Sequence, residues 1–198
     1  MTESDITSEQ GLIFEDILPL KWQTADSEVL SADMAKFDTI NEEVLSFIDV
    51  LDEHPSDYAG DYSSTTNQES VLSKVDVKFD LLLSLVTQLL GVYFPLPDPV
   101  KMKLTPYSVQ WISRVEINPE THGLVEIYLS SRCPRSLVFP AKIESAEQVG
   151  QTYRISARFG AIGAPIRERL EKLIFRHHRR GVAQARRRLA SESNIPNP

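Results

Sequence analysis

The sequence predicts an α+β fold: a small six-stranded antiparallel β-barrel with a long inserted helical hairpin and a C-terminal helix. Three observations predict it. Residues 69–92 carry apolar side chains at alternating steps of three and four. After residue 99 the apolar period shortens to two. From Ala164 onward a helical period returns, in a strongly basic stretch.

The first observation organises the chain. Leu72, Val75, Phe79, Leu82, Val86 and Leu89 recur at the spacing of a coiled-coil seam. Leu81, Leu83, Leu85 and Leu90 widen the apolar face beyond a two-stranded stripe. A helix so patterned is not stable alone in water and must be covered. A wide face calls for more than one neighbour. One reading buries it in a monomeric core; the other gives it to oligomerisation, with a tetramer favoured and a dimer as the smaller alternative.

The elements follow in order. Residues 1–10 are polar. Residues 11–22, GLIFEDILPLKW, read as a strand that Pro19 places at an edge or bend. Asp26 and Glu28 stand where a helix N-terminus favours negative charge. The helix that follows sets Leu30, Phe37, Ile40, Val44, Phe47 and Leu51 on one face, interrupted at Asp33, and Pro55 ends it. Residues 54–65 are turn-rich, and Thr66 with Glu69 forms a capping-box pattern before the second helix. Each helix has roughly 25 residues and is on the order of 40 Å long. The pair makes an antiparallel hairpin, whose partners lie within one chain or in another.

Residues 93–99, YFPLPDP, hold three prolines and mark a boundary. Strands are then predicted over 100–106, 108–117, 123–130, 136–145 and 151–162. The last is cleanest: Tyr153, Ile155, Ala157 and Phe159 alternate with Thr152, Arg154, Ser156 and Arg158. Joined by the strand at 11–22, these close a small barrel. The final helix opens with Pro165 at its first position. Ile166, Leu170, Leu173, Ile174 and His177 share a face suited to covering the barrel mouth. The domain layout is a first strand segment at 11–23, an inserted hairpin at 24–92, and barrel with C-terminal helix at 99–190.

Composition narrows the class. Of 198 residues, 41% are hydrophobic, enough for a real core. The acidic, polar N-terminus carries no secretory pattern, and no run is clean enough to span a bilayer, so a cytoplasmic protein without a membrane span is expected. A single cysteine, Cys133, excludes an internal disulfide and a thiolate metal site. The net charge of −7 conceals a split. Residues 1–90 hold 19 Asp and Glu against 4 Lys, a net of −15; residues 91–198 hold 9 against 17 Lys and Arg, a net of +8. Such a split suits either an anionic partner or acidic and basic parts that face each other.

Catalytic and metal chemistry finds little footing. His177 and His178 are adjacent on a helix and point about 100° apart, a poor metal pair. His54 and His122 stand alone. Cys133 lies between Arg132 and Arg135 but has no partner triad. Asp49, Asp52, Glu53, Asp57 and Asp61 lack the glycine and terminal glutamate of an EF-hand. No cofactor, metal or enzymatic activity is expected.

The strand pattern, the ending LxxLIFRxHRRxxAxxRR (170–187) and the segment LPLxW (18–22) together resemble a PilZ domain, in an atypical branch whose heptad helices interrupt the barrel and assemble tetramers. The resemblance covers roughly residues 11–188. It implies a bacterial signalling barrel of the cyclic diguanylate network. The ordinary ligand site of such domains uses an RxxxR pair before the barrel and a D/N-x-S-x-x-G motif. A doubly negative dinucleotide needs guanidinium clamps. This chain has no arginine before Arg114. The second motif aligns as Lys103, Thr105 and Ser108, or alternatively as Asn118, Glu120 and Gly123; both are degraded. Binding of cyclic diguanylate in the usual mode is therefore not expected. An RxxxR spacing does occur at Arg176 and Arg180, with Arg179 beside it, as a displaced anion site; a solvated basic helix end is the simpler reading.

The function so implied is a non-enzymatic, oligomeric signalling adaptor of the motility, type IV pilus or virulence network, with a protein partner. A cyclic diguanylate receptor with a displaced arginine site is the alternative. Nucleic-acid binding through 176–188 is not expected, because stacking aromatics are scarce there and the chain is acidic overall.

Overall fold

The computed structural model describes residues 13–52, isolated helical positions between 78 and 89, residues 95–130 and residues 135–192, with the side chains at 51–52 and 182–192 left out of the description. Six strands form a closed barrel in the order β1-β2-β3-β6-β5-β4. They are β1 (Phe14–Thr24), β2 (Pro99–Leu104), β3 (Ser108–Ser113), β4 (His122–Ile127), β5 (Leu137–Val149) and β6 (Thr152–Phe159). Between β1 and β2 come α1 (Ser27–Ala32), α2 (Met34–Asp52) and the helical positions from Lys78 to Leu89. A long helix, α3 (Ala164–Glu192), closes the described chain. The α+β class and the barrel are as the sequence predicts.

Contacts group the chain into two compact units. One holds the described residues to Ile17, Val100–His122 and those from Ala141 onward. In it β2 pairs with β3 (Met102 opposite Trp111), and β3 pairs with β6 (Trp111 opposite Ile155). Strand β6 pairs in turn with β5 (Ala157 opposite Ile143). The period of two does what it predicts: Met102, Leu104, Val109, Trp111, Ile143, Ile155 and Ala157 are buried, and the residues between them face outward or are half-buried. Ile166, Leu170, Leu173 and Ile174 are buried along one face of α3. The ring of His177, on the same face, stacks on Phe14 at 3.9 Å between centroids, with its Nε2 3.5 Å from Asp16.

The other unit holds Leu18–Pro99 and Gly123–Pro140. Here β1 pairs with β4 from Leu20 opposite Ile127 to Thr24 opposite Gly123. Leu30, Phe37, Val44, Leu45 and Ile48 bury one side of α1 and α2. Within that side lies Asn41, buried and polar, bonded to the backbone of Val138. Arg135 pairs with Glu43 at 2.6 Å. A Cβ on Gly123 would lie 2.4 Å from the Gln23 carbonyl oxygen and 2.6 Å from the Trp22 ring, so glycine is what lets β1 and β4 approach here.

Several boundaries differ from the sequence reading. The single helix expected from residue 27 breaks at Asp33, whose N–H donates to the Val29 carbonyl while its own carbonyl accepts from Lys36 and Phe37. One helix ends and the next begins on the same residue, as suits a short polar side chain that competes poorly for helix interior. The strand expected over 108–117 stops at Ser113, whose hydroxyl donates to the Val115 carbonyl and accepts the Val115 N–H. Strand β5 instead runs on to Val149 beyond a bulge between Ile143 and Ser145. Pro165 is the second residue of α3 rather than the first; the Gly163 carbonyl accepts the Arg167 N–H.

Candidate functional site

The degraded ligand motif lies at the β2–β3 hairpin. Lys103 is on β2 and pairs with Glu15 at 2.7 Å. Thr105 and Ser108 close the turn on each other. The Thr105 N–H donates to the Ser108 carbonyl at 2.9 Å, and the Thr105 hydroxyl oxygen accepts the N–H groups of Tyr107 and Ser108 at 3.2 and 3.0 Å. The two hydroxyls are 2.9 Å apart. All three side chains thus carry structural bonds. The rival alignment is also a turn. Glu120 sits at φ 69 and pairs with Lys142, and the Thr121 hydroxyl donates to the Asn118 carbonyl at 2.6 Å. In both versions a cation or carboxylate with an ion-pair partner holds a motif position.

The arginines of the displaced anion site lie on α3. Arg176 is half-buried, whereas Arg179 and Arg180 are exposed. Arg179 lies over the exposed ring of Phe175, 5.8 Å from its centroid. Arg176 and Arg180 both make interactions within the chain.

A different arginine stands at the hairpin turn. The Arg167 guanidinium, from the first turn of α3, lies 4.9 Å over the ring of Tyr107. The Tyr107 carbonyl accepts the Phe159 N–H at 2.8 Å, which fixes the turn against β6. The pair is some sixty positions apart in the chain and no motif links them, so the sequence carried no signal for it.

The heptad positions divide. Phe79, Leu82, Val86 and Leu89 are helical and exposed at 67%, 58%, 50% and 64%. Leu72 and Val75 lie outside the described residues, as do Leu83, Leu90 and the Thr66–Glu69 cap. On the first helix, Phe37 and Val44 are buried within the chain, Ile40 and Phe47 are half-buried, and the side chain of Leu51 lies outside the described residues. Cys133, Arg132, His54, Glu53, Asp57 and Asp61 also lie outside them. Among the described residues no group of three His, Cys, Asp or Glu is placed to hold a metal, and no helix is long and apolar enough to cross a membrane.

Comparison with known proteins assigns the architecture. The family described as an atypical PilZ domain, cyclic di-GMP receptor, matches residues 47–187. The chain belongs to the atypical PilZ family. That family consists of regulatory receptor domains. A tetrameric PilZ domain of a pathogenic protein from Xanthomonas campestris, self-assembled through a helical bundle, is similar in structure. It is 24% identical with a TM-score of 0.66, over 88% of this chain and 92% of that one. YcgR from Escherichia coli, solved with c-di-GMP, is 18% identical over 45% of this chain and 39% of its own, with a TM-score of 0.39. The Bacillus subtilis inhibitor of motility MotI/DgrA is 9% identical over 40% and 41%, with a TM-score of 0.35. No curated protein matches the chain.

Proposed function

We propose that this PilZ protein is a non-enzymatic, oligomeric signalling adaptor of the bacterial motility or virulence network, working in the cytoplasm through a protein partner. The inserted hairpin at 24–92 is its assembly device, and the barrel with its C-terminal helix at 99–190 is the displayed module. One observation carries the reading: Phe79, Leu82, Val86 and Leu89, which follow heptad spacing in the sequence, are exposed in the single chain. Covering one such side chain contributes about 1.5–3 kcal/mol, so a sister helix is the economical partner. The X. campestris PilZ tetramer supports a fourfold assembly. Barrels held at fixed spacing bind a multivalent partner with avidity that one barrel lacks.

The reading includes loss of the usual dinucleotide mode. Lys103 stands where the motif has an acid or amide, and Thr105 and Ser108 are engaged with each other. Light scattering across micromolar concentrations tests the assembly; a monomer throughout defeats it. Calorimetry with cyclic di-GMP tests the rest, with no heat expected.

The family description favours a second reading, a cyclic di-GMP receptor; in this chain its site would be the displaced arginines Arg176, Arg179 and Arg180. A micromolar or tighter heat signal, abolished by Arg176→Ala with Arg180→Ala, replaces the first reading with this one.

A further inference from the structure

We infer that Tyr107 and Arg167 form a preorganised contact for an acidic side chain of a second copy of this chain. The inference rests on the assembly reading above and adds a second, polar contact to it. Around this turn the other cations are neutralised: Lys103, Lys142 and Arg158 each meet a carboxylate, of Glu15, Glu120 and Glu144. Arg167 does not. Among the described residues it makes no ion pair and no side-chain hydrogen bond, and its Nε is shut off from solvent without a partner. Its contact is the Tyr107 ring at 4.9 Å. A guanidinium placed over an aromatic ring is held by a cation–π attraction, and its fork matches a carboxylate edge.

The mounting is rigid. Tyr107 is tied by its N–H to the Thr105 hydroxyl and by its carbonyl to the Phe159 N–H. Tyr107 is still 46% exposed. A fixed tyrosine beside an arginine lacking an acid is the composition of an interface hot spot, where little side-chain entropy remains to be lost.

Charge names the occupant. Residues 1–90 hold 19 acids against 4 lysines, and residues 91–198 hold 17 Lys and Arg against 9 acids. When the exposed heptad seam brings copies together, the acidic half of one is concentrated beside the basic half of another. The carboxylate missing at Arg167 is then supplied in trans.

Sedimentation equilibrium of the full chain tests this in low and high salt, with circular dichroism to show that each variant is folded. Arg167→Glu and Tyr107→Ala are expected to weaken assembly at least tenfold at low salt, with Arg167→Lys intermediate. The Arg167→Glu defect is expected to shrink in 1 M salt, where the Debye length is about 3 Å. If Phe79→Asp dissociates the assembly while folded Arg167→Glu and Tyr107→Ala leave it unchanged, this inference fails and the assembly reading stands. A wild-type monomer at every concentration overturns both. Should Arg167→Glu not fold, Tyr107→Ala and Arg167→Lys decide: wild-type assembly in both overturns the contact.

Discussion

Asn41 on α2 grips Val138 on β5 from both sides: its Nδ2 donates to the Val138 carbonyl at 2.8 Å, and its Oδ1 accepts the Val138 N–H at 2.7 Å. The side chain is 1% exposed. One amide therefore satisfies two backbone groups of a strand, in place of a neighbouring strand. Asn41→Leu leaves both groups without a partner in a buried site. A stranded buried group costs about 1–3 kcal/mol. The variant is expected to lose about 2–4 kcal/mol by urea unfolding. An unchanged midpoint for Asn41→Leu contradicts the role.

Gly123→Ala is a steric test. Its Cβ would meet the Gln23 carbonyl oxygen at 2.4 Å, a backbone atom that cannot swing away, and the Trp22 ring at 2.6 Å. Overpacking of this kind costs about 1–3 kcal/mol. A lowered thermal midpoint and a shifted tryptophan emission are expected; wild-type values for both would show that β1 and β4 separate freely.

The seam gives a third prediction. Leu82→Asp and Val86→Asp place a charge among residues that a single chain exposes. Neither is expected to unfold the barrel, because neither side chain is in its core. Both are expected to lower the assembly mass at micromolar concentration, measured by light scattering. A stable wild-type oligomer from both variants removes the hairpin from the interface.

Alkaline stability should respond to Glu126. Its carboxylate accepts from Lys21 Nζ at 3.0 Å and from the Tyr128 hydroxyl at 3.2 Å. The hydrogen bond and charge of Glu126 hold the Lys21 ammonium above its usual 10.5. Burial first, and then Glu126, push the Tyr128 phenol above 10.0. Both raised groups bind protons more tightly folded than unfolded, so their contribution is complete below the unfolded values and fades as pH rises through the folded ones. The urea midpoint is expected to fall from about pH 10 upward. Glu126→Gln flattens that fall while leaving the neutral region nearly unchanged, since Lys21 is half exposed and the pair is screened. An identical slope in the variant contradicts the linkage.

The barrel was legible because a period of two needs no tertiary knowledge: Ile155, Ala157 and Phe159 alternate in the sequence and are buried in the fold. The first helix was less legible. Phe37 and Val44 have the same spacing whether a sister helix or the protein's own strand covers them. Asn41, four residues after one and three before the other, is the polar interruption that marks a face turned toward backbone rather than toward a seam. The extension of β5 to Val149 escaped because most of its last residues are polar and exposed, and pairing with β6 rather than burial makes them a strand. The Tyr107–Arg167 pair could not be read at all, because motif searches follow fixed spacings and only the fold brings these two residues together.

Placing the helices after β1 has a consequence for synthesis. Lys21 meets Glu126 across 105 positions, and at ribosomal rates of about 5–20 residues per second β1 waits about 5–20 seconds for its partner β4. The helices emerge during that interval. On the assembly proposed above, a nascent chain meets its siblings before its sheet has shut, and recruitment of subunits runs ahead of completion of each one.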